Sequence, residues 1–258
     1  MGFKISLAGD LGSGKSTVSR LLMARTGAEY YSTGMICRAE AAKHSMTIDE
    51  FNRYMETHPE VDKAIDDALA ALTYDPRTLV IDSRMAFHFV KGTFRVYMAT
   101  APHVSAARIL ADKRAGESFD TVEETARRVA ARRKSESLRY FEKYGVHITD
   151  MQNYDLVLDT TAITPEEVAD IILASLDAWQ KDPAARFCYL DYCRFAVKAQ
   201  EEGGDPASLP RVRVKDGIYY VLGGAAAIRA CKERGERIVP CILLPGEPES
   251  TEQYAPLF

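Results

Sequence analysis

The chain has 258 residues, which is enough for one large domain or for a domain of about 180 residues with a smaller one attached. Its composition, 47% hydrophobic and 27% charged, is ordinary for a globular protein with a sizeable core. The formal net charge of −4 excludes a polyanion binder that works through bulk charge, so nucleic-acid binding would need a local patch. No stretch approaches the roughly 18 apolar residues of a membrane span.

The five cysteines are odd in number, irregularly spaced and never arranged as CxxC, which is typical of reduced thiols in a reducing compartment. The N-terminal apolar run is short and leads directly into a glycine-rich loop, unlike a signal peptide. We therefore expect a cytoplasmic protein.

The chain begins with a predicted strand at residues 3–8, the loop GDLGSGKST at 9–17 and a helix-like run at 17–25. This loop fits the pattern G-x-x-x-x-G-K-[ST] in the strand–loop–helix context that the pattern requires. Glycines let successive backbone N–H groups approach phosphate oxygens, and the helix adds the positive end of its dipole. The sequence therefore predicts a phosphate site, with Lys15 reaching the β- and γ-phosphates and the Ser16 hydroxyl binding Mg²⁺. Gly9, Gly14, Lys15 and Ser16 match the pattern.

A second strand, 29–31, leads into YSTGMICR, where the turn Ser32-Thr33-Gly34 opens a helix and Arg38 lies one turn in. A helix N-terminus beside an arginine is able to hold a monoester phosphate, although the same pattern fits an ordinary N-cap with a solvated arginine.

A third strand, 78–82, ends in VIDSR. Ligands of open α/β sheets bind beyond the carboxyl ends of the strands. Asp82 is therefore a candidate to hold a water on Mg²⁺ and Arg84 to hold an acceptor phosphate; a strand-end salt bridge is the alternative.

Beyond the strand at 94–98, the stretch 125–145 places Arg128, Arg132, Arg139 and Lys143 at spacings of four, seven and four. They would share one helical face, either as a solvated charged surface or as a mobile lid that neutralises a transferring phosphoryl group. The segment 112–120 is the predicted hinge side of that lid.

A last core strand is predicted at 154–159, where Asp159 either orients a lid arginine or caps the strand end. Capping-box patterns precede several predicted helices, and the final one pairs Thr164 with Glu167 ahead of a helix at 164–180. This alternation of strands and helices predicts an α/β fold with a parallel sheet of the P-loop NTPase type flanked by helices.

After residue 181 the pattern changes. A helical-looking piece at 184–200 is followed by two alternating strands around Asp216-Gly217, a helix at 225–235 and a final strand at 238–244. We therefore divide the chain into residues 1–181 and a small α+β module at 182–258.

Residues 1–180 resemble the short, archaeal-type cytidylate kinases of the nucleoside monophosphate kinase group. The resemblance runs through GDLGSGKST, YYSTGMICR, MTIDEFNRYMETHPEVDKAID, VIDSR, RRKSESLRYFEKYGV and YDLVLDT. It implies transfer of a phosphoryl group from ATP, with Mg²⁺, to CMP or dCMP by a monomer. The implied ATP-binding residues are Gly9, Gly12, Ser13, Gly14, Lys15, Ser16 and Thr17. It further implies that Lys15, Arg132 and Arg139 are catalytic and that metal binds through Ser16 and Asp82. The implied acceptor residues are Thr33, Gly34, Arg38, Arg84, Arg128, Arg132 and Arg139.

The sequence departs from this family at three places. Asp10-Leu11 replaces a Pro-Pro pair in the loop, Met35 replaces an aspartate after the small-residue turn, and DSR replaces an EGR-like strand end. Met35 removes a polar group near the acceptor, so the base that is preferred stays open.

Residues 211–244 resemble, over about 35 residues, the small fold shared by ParB N-terminal domains and sulfiredoxins. The charged residues that follow the glycines in those proteins are replaced here by Ala225, Ala226 and Ala227, so we expect a degenerate structural or regulatory module.

Two other readings of the whole chain remain. One is a P-loop kinase with a different phosphorylated or hydroxyl acceptor. The other is a nucleotide-sensing regulator whose output runs through residues 182–258. Nucleic-acid binding has only the basic lid helix in its favour.

Overall fold

A computed structural model describes residues 2–112, 121–198 and 204–258. Within them, seven strands form one sheet and five form another. Each predicted strand of residues 1–181 is confirmed. The strands in chain order are β1 Lys4–Gly9, β2 Glu29–Ser32, β3 Leu79–Asp82, β4 Phe94–Ala99, β5 Leu156–Asp159, β6 Phe187–Asp191, β7 Phe195–Lys198, β8 Arg211–Lys215, β9 Ile218–Gly223, β10 Ile238–Pro240, β11 Ile242–Leu243 and β12 Tyr254–Pro256.

Three helices begin where patterns of the capping-box type, Thr47 with Glu50, Thr121 with Glu124 and Thr164 with Glu167, predict them. Thr47 and Glu50 form a reciprocal capping box, and so do Thr164 and Glu167. The helices are α1 Lys15–Thr26, α2 Thr33–Lys43, α3 Ile48–Thr57, α4 Pro59–Ala71, α5 Ala86–Phe89, α6 Pro102–Ala111, α7 Val122–Tyr144, α8 Pro165–Lys181 and α9 Ala225–Glu233. The predicted lid helix is therefore present as α7, while residues 113–120 of the predicted hinge lie outside the described part of the chain.

The larger sheet has the strand order β10-β6-β5-β4-β1-β3-β2. Its pairs are parallel except that of β10 with β6. The strand β1 is buried along its whole length, as a central parallel strand between two helical layers must be. The carboxyl ends of β1, β3 and β5 consequently meet at one edge of the sheet, beside the loop that precedes α1.

The helix predicted at 184–200 is wrong. Residues 187–191 and 195–198 form β6 and β7, joined by a 3-10 turn at Tyr192–Arg194. The backbone of β6 pairs with β5, with Val157 opposite Cys188, and so continues the larger sheet. This long-range pairing, together with the aromatic and branched residues of the segment, overrides its helix-like spacing of apolar residues.

The smaller sheet has the order β11-β8-β9-β7-β12. Its hairpin turns at Asp216 and Gly217, which both have positive φ, as the sequence predicts for this pair. The final strand predicted at 238–244 is divided between the two sheets: β10 pairs with β6, and after Cys241 β11 pairs with β8.

One hydrophobic cluster joins the two sheets. It contains Tyr97 and Val157 from the larger sheet together with Phe195, Tyr219 and Ile228 from the C-terminal residues. The division at residues 181 and 182 stays a prediction, but packing is continuous across it. Over the stretches that the structure describes, no helix is both long and apolar enough to cross a membrane.

Candidate active site

The loop between β1 and α1 depends on two glycine conformations. At Gly9, φ is 128° and a Cβ would lie 2.2 Å from the carbonyl oxygen of Met98 in β4. At Gly14, φ is 89° and the residue caps the first turn of α1. Only glycine adopts these conformations without strain, and they bring the unpaired N–H groups of the helix to the loop. The arrangement is an anion site of the predicted kind.

The Lys15 ammonium lies over this loop. Its Nζ donates to the carbonyl oxygens of Asp10 at 2.7 Å and Gly9 at 3.3 Å and to Ser13 Oγ at 3.4 Å. Burial, and then the charge of nearby Arg84, lowers the pKa of Lys15 from 10.5 to about 8. A cation held by weak carbonyl acceptors in this way is prepared to exchange them for phosphate oxygens.

A cavity of about 790 Å³ opens from the loop, a volume typical of small-molecule sites. It brings together the predicted residues with one exception, Gly9, which lies behind it against β4. The predicted residues that line it are Gly12, Ser13, Gly14, Lys15, Ser16, Thr17, Thr33, Gly34, Arg38, Asp82, Arg84, Arg128, Arg132 and Arg139. Their individual roles stay predictions.

Ser16 and Asp82 provide oxygen atoms of the kind that Mg²⁺ prefers. Both line the cavity, and the Asp82 carboxylate is oriented by the Tyr30 hydroxyl, which donates to Oδ2 at 3.0 Å. No cluster of three or more histidine, cysteine or acidic residues that is suited to a metal occurs among the described residues. The donors therefore fit a magnesium ion that takes its other ligands from phosphate and water.

Glu136 of α7 connects two of the cavity arginines. Its carboxylate accepts from Arg84 Nε and Arg132 Nε, both at 2.9 Å, and Arg84 also donates to the Gly9 carbonyl. Although burial disfavours the carboxylate, the two guanidinium groups hold the pKa of Glu136 below its ordinary value. Glu136 thus fixes the arginines and balances part of their charge while no phosphate is bound.

Arg139 lies one heptad beyond Arg132 on the same helix. Its Nη2 donates to the Tyr140 hydroxyl at 3.3 Å, while Nη1 is buried without a hydrogen-bond partner in the described part of the chain. A buried, unsatisfied guanidinium N–H is costly unless something else occupies the site. Such a donor in the wall of an arginine-rich cavity suits an anionic ligand.

The far side of the cavity is acidic. Asp62 and Asp66 of α4 line it, with Asp62 3.0 Å from Lys143 and Asp66 accepting from the Tyr144 hydroxyl. Burial raises the pKa of Asp66. The cavity thus has a cationic wall near the loop and a carboxylate-bearing wall on α4.

The family departure at Asp10 has a structural explanation. Its carboxylate faces away from the loop and accepts from the Tyr97 hydroxyl at 3.0 Å and the Thr100 N–H at 2.9 Å, and it pairs with Arg133 of α7 at 3.0 Å. Met35, the second departure, is 56% exposed. Neither side chain obstructs the loop.

Sequence reasoning missed Glu136, Asp62 and Asp66, although all three lie in stretches that carried the family resemblance. Their spacing along the helices was the available indication. Glu136 follows Arg132 by four residues and is therefore its neighbour on the helix surface, and Asp62 and Asp66 share one helical face with Leu69. Of the two roles predicted for Asp159, strand-end capping is confirmed, since Oδ1 accepts from the Thr161 N–H at 2.9 Å.

Comparisons with known proteins agree with this geometry. The AAA domain family matches residues 5–129. Cytidylate kinases of Thermoplasma volcanium and Archaeoglobus fulgidus are 36% and 31% identical over 178 and 175 residues, which cover 67% of this chain and 91% and 94% of those proteins. An S-adenosylmethionine-dependent nucleotide dehydratase of Lacinutrix mariniflava is 33% identical over 199 residues, or 76% of this chain, but the chain spans only 41% of that protein.

A solved structure of an uncharacterized protein from Eubacterium ventriosum covers 68% of this chain and 99% of its own, with a TM-score of 0.51 and 12% identity, and so shares the fold alone. The phosphate loop and the cavity above a parallel sheet, with these relatives, define a P-loop nucleotide kinase. Within that class, the chain belongs to the cytidylate kinase family.

The ParB- and sulfiredoxin-like character of residues 211–244 stays a prediction. The glycine turn before α9 is closed, because a Cβ at Gly224 would lie 2.8 Å from the Cα of Pro210. The segment Leu209-Pro210 therefore packs against the helix N-terminus where a phosphate would have to approach.

Proposed function

We propose that this kinase transfers the γ-phosphoryl group of ATP to the phosphate of CMP or dCMP, with Mg²⁺ bound through Ser16 and Asp82. One observation carries the proposal: the phosphate loop and six arginines, Arg38, Arg84, Arg108, Arg128, Arg132 and Arg139, line the same cavity. Guanidinium groups in such number match an acceptor that already carries phosphate, rather than a simple hydroxyl compound.

The acceptor phosphate oxygen is itself the nucleophile, so the reaction needs no dedicated general base. The magnesium ion, when bound, neutralises charge on the transferring group. Lys15 and the arginines of α7 align donor and acceptor and stabilise the charge that develops between them. Movement of α7 over the cavity would exclude water and suppress hydrolysis of ATP.

The acidic wall on α4 supports cytosine as the base. A carboxylate such as that of Asp62 accepts a hydrogen bond from the exocyclic amine of cytosine, whereas uracil presents a carbonyl oxygen at the same position. Uracil would place its carbonyl oxygen against the carboxylate, and two acceptors that face each other disfavour the wrong base. Asp62 therefore favours CMP over UMP in this site.

The test is formation of ADP from ATP and Mg²⁺ with CMP, dCMP, UMP, AMP and GMP as separate acceptors, with Lys15→Ala as the inactive control. Turnover that depends on Lys15 and is fastest with CMP or dCMP supports the proposal. Nucleotide binding without turnover on any acceptor would refute it and favour a regulator. Rapid turnover confined to another nucleotide would retain the reaction and replace the acceptor.

Asp62→Asn tests the base separately. The amide presents both a donor and an acceptor, so we expect the ratio of kcat/KM for CMP over UMP to fall by about tenfold or more. An unchanged ratio would remove Asp62 from base recognition. The matched control is Asp67→Asn, because Asp67 lies on the same helix but pairs with Lys63 at the surface.

We further propose that the protein works in the cytoplasm as a monomer on free nucleotides. The predicted donor and acceptor residues other than Gly9 line one cavity of a single chain, which supports a monomer. Light scattering during size-exclusion chromatography, with and without ATP and CMP, would test the oligomeric state.

A further inference from the structure

A buried carboxylate, Asp159, lies where the C-terminal residues meet the phosphate site. The residue is fully buried at the carboxyl end of β5. Its Oδ2 accepts from Arg194 Nη1 and from the Tyr219 hydroxyl, both at 2.6 Å. Its Oδ1 accepts from the N–H and the hydroxyl of Thr161 at 2.9 and 2.5 Å. One carboxylate is thus shared between the C-terminal sheet and the turn that follows β5.

Arg194 is itself fixed by the smaller sheet. Its Nε and Nη2 donate to the Gly217 carbonyl in the β8–β9 turn at 2.9 and 2.6 Å, and its guanidinium lies 4.7 Å from the Tyr219 ring centre. The side chain is only 10% exposed. A buried ion pair of this kind is highly sensitive to loss of one partner, because the remaining charge stays buried.

The turn on the other side of Asp159 holds the phosphate loop. The Thr160 hydroxyl donates to the Ser13 carbonyl at 3.0 Å. Arg108 joins the same two segments, with Nη2 donating to the Thr160 carbonyl at 2.9 Å and Nη1 to the Gly12 carbonyl at 3.4 Å. The carbonyls of two loop residues are therefore anchored to the residue next to Asp159. Their orientation also sets the orientation of the neighbouring peptide N–H groups.

We propose that Arg194 is a positioning residue for the ATP site: it holds Asp159, which fixes the Thr160-Thr161 turn, which in turn fixes the backbone of Gly12 and Ser13. The C-terminal residues then act as a structural part of the phosphate site. This inference rests on the proposed use of ATP at the loop. It assigns Arg194 no contact with nucleotide.

The experiment compares two arginine variants in the full chain. Arg194→Met removes the partner of Asp159, and we expect the Kd for ATP, measured by titration calorimetry, and the KM for ATP to rise roughly tenfold. The KM for the acceptor should change by less than about twofold, because the arginines of α7 are untouched. Arg194→Lys keeps a positive charge beside Asp159 but loses the paired hydrogen bonds to the Gly217 carbonyl. We expect it to give a Kd for ATP between those of the wild type and Arg194→Met.

Arg237→Met is the matched control. Arg237 donates to the fully buried Asp191 at 2.8 and 3.1 Å, so this variant also takes an arginine from a buried carboxylate of the C-terminal region. The contacts described for Arg237 are with Asp191 and the ring of Tyr192, away from the phosphate loop. We expect its Kd for ATP to equal that of the wild type.

Two results would overturn the inference: a folded Arg194→Met with wild-type affinity for ATP, or an equal loss of affinity in Arg237→Met. Fluorescence of Trp179, the single tryptophan, which packs against Phe94, reports whether each variant is folded. If Arg194→Met does not fold, Tyr219→Phe decides, since it removes one donor to Asp159 and should raise the Kd about threefold; an unchanged Kd there also overturns the inference. Failure of the wild type to bind ATP would instead refute the proposed function.

Discussion

At the scale of single residues, Lys15 combines an unfavourable environment with the central position in the phosphate loop. Its ammonium is surrounded by carbonyl groups and lies near Arg84. The pKa of about 8 means that the charged lysine lowers the free energy of unfolding, because the charge is less stable here than in the unfolded chain. This cost in stability is present below pH 8 and decreases as pH rises towards 10.5, because the unfolded chain retains the proton that the folded chain has lost. Bound phosphate removes the cost by supplying negative charge.

Replacement of Lys15 by methionine should therefore separate activity from stability. We expect turnover to fall by at least about a hundredfold, since charge stabilisation is lost, while the ligand-free protein becomes more stable by roughly 1 kcal/mol at pH 7. Thermal denaturation without nucleotide measures the second effect, and Lys43→Met on the exposed surface of α2 is the control. A lower melting temperature for Lys15→Met than for the wild type would contradict the prediction.

The pKa of Lys15 also predicts how ATP binding depends on pH. Phosphate favours the ammonium form, so affinity should be level just below pH 8 and fall above it, by at most about tenfold for each pH unit. Calorimetric titrations between pH 7 and 9.5 measure this limb. It should disappear in Lys15→Met, and a level profile in the wild type would exclude Lys15 as its source.

At the scale of elements, α7 organises the cationic wall. The helix carries Arg132, Glu136 and Arg139 into the cavity and Arg133 to Asp10, so one rigid element spans both the arginine cluster and the phosphate loop. The arrangement of this wall depends on Glu136, because its carboxylate accepts from Arg132 of α7 and from Arg84 in the turn between β3 and α5.

Loss of the Glu136 charge should destabilise the ligand-free enzyme. Glu136→Gln removes the buried negative charge that lies between Arg84 and Arg132, and we expect the free energy of unfolding to fall by about 2 kcal/mol. Urea denaturation measures the change. Glu124→Gln, on the same helix but in an exposed pair with Arg128, should cost less than about 1 kcal/mol. Equal effects in the two variants would mean that Glu136 is not the organising residue.

Elements with strong local signals were predictable. The motif at 9–17 requires a strand, a turn and a helix in immediate succession, and the arginine spacing of 128–139 has meaning only on a helix. The predictions for β1, α1 and α7 are accordingly confirmed. The same two patterns also predicted which residues carry the positive charge of the site, namely the lysine of the loop and the arginines of the helix.

Features that depend on distant partners were not predictable. Residues 187–191 become a strand because the open side of β5 pairs with them, and their own spacing of apolar residues gives no sign of it. Glu136 and Asp62 looked like ordinary surface charges, because only the packed structure shows that a cavity lies beside them. The contact between Asp159 and Arg194 joins residues 35 positions apart and has no local pattern at all.

At the scale of the whole molecule, the two sheets share one interior. The cluster that contains Tyr97, Val157 and Tyr219 has contributions from both, and β10 and β11 are consecutive strands in different sheets. The C-terminal residues therefore complete the kinase core.

A chain that ends at residue 181 should consequently fail to fold. It loses β6 from the side of β5, exposes the apolar residues of the shared cluster and takes Arg194 and Tyr219 away from Asp159. We expect these losses together to exceed the marginal stability of a typical domain. Soluble yield and circular dichroism of residues 1–181 beside the full chain measure the outcome. A soluble, active fragment would support the predicted boundary and refute this expectation.

The larger sheet includes β10, which comes late in the chain, so this sheet is completed late during synthesis on the ribosome. Strands β1 to β5 are synthesised first. The open side of β5 stays unpaired until β6 is made, and the other side of β6 stays unpaired until residues 238–240 of β10 are made. Until then the nascent chain presents an unpaired strand of the kind that chaperones and proteases recognise. We therefore expect the edge of β5 to stay exposed until β6 has been synthesised, and the buried pair of Asp159 with Arg194 to form only after that.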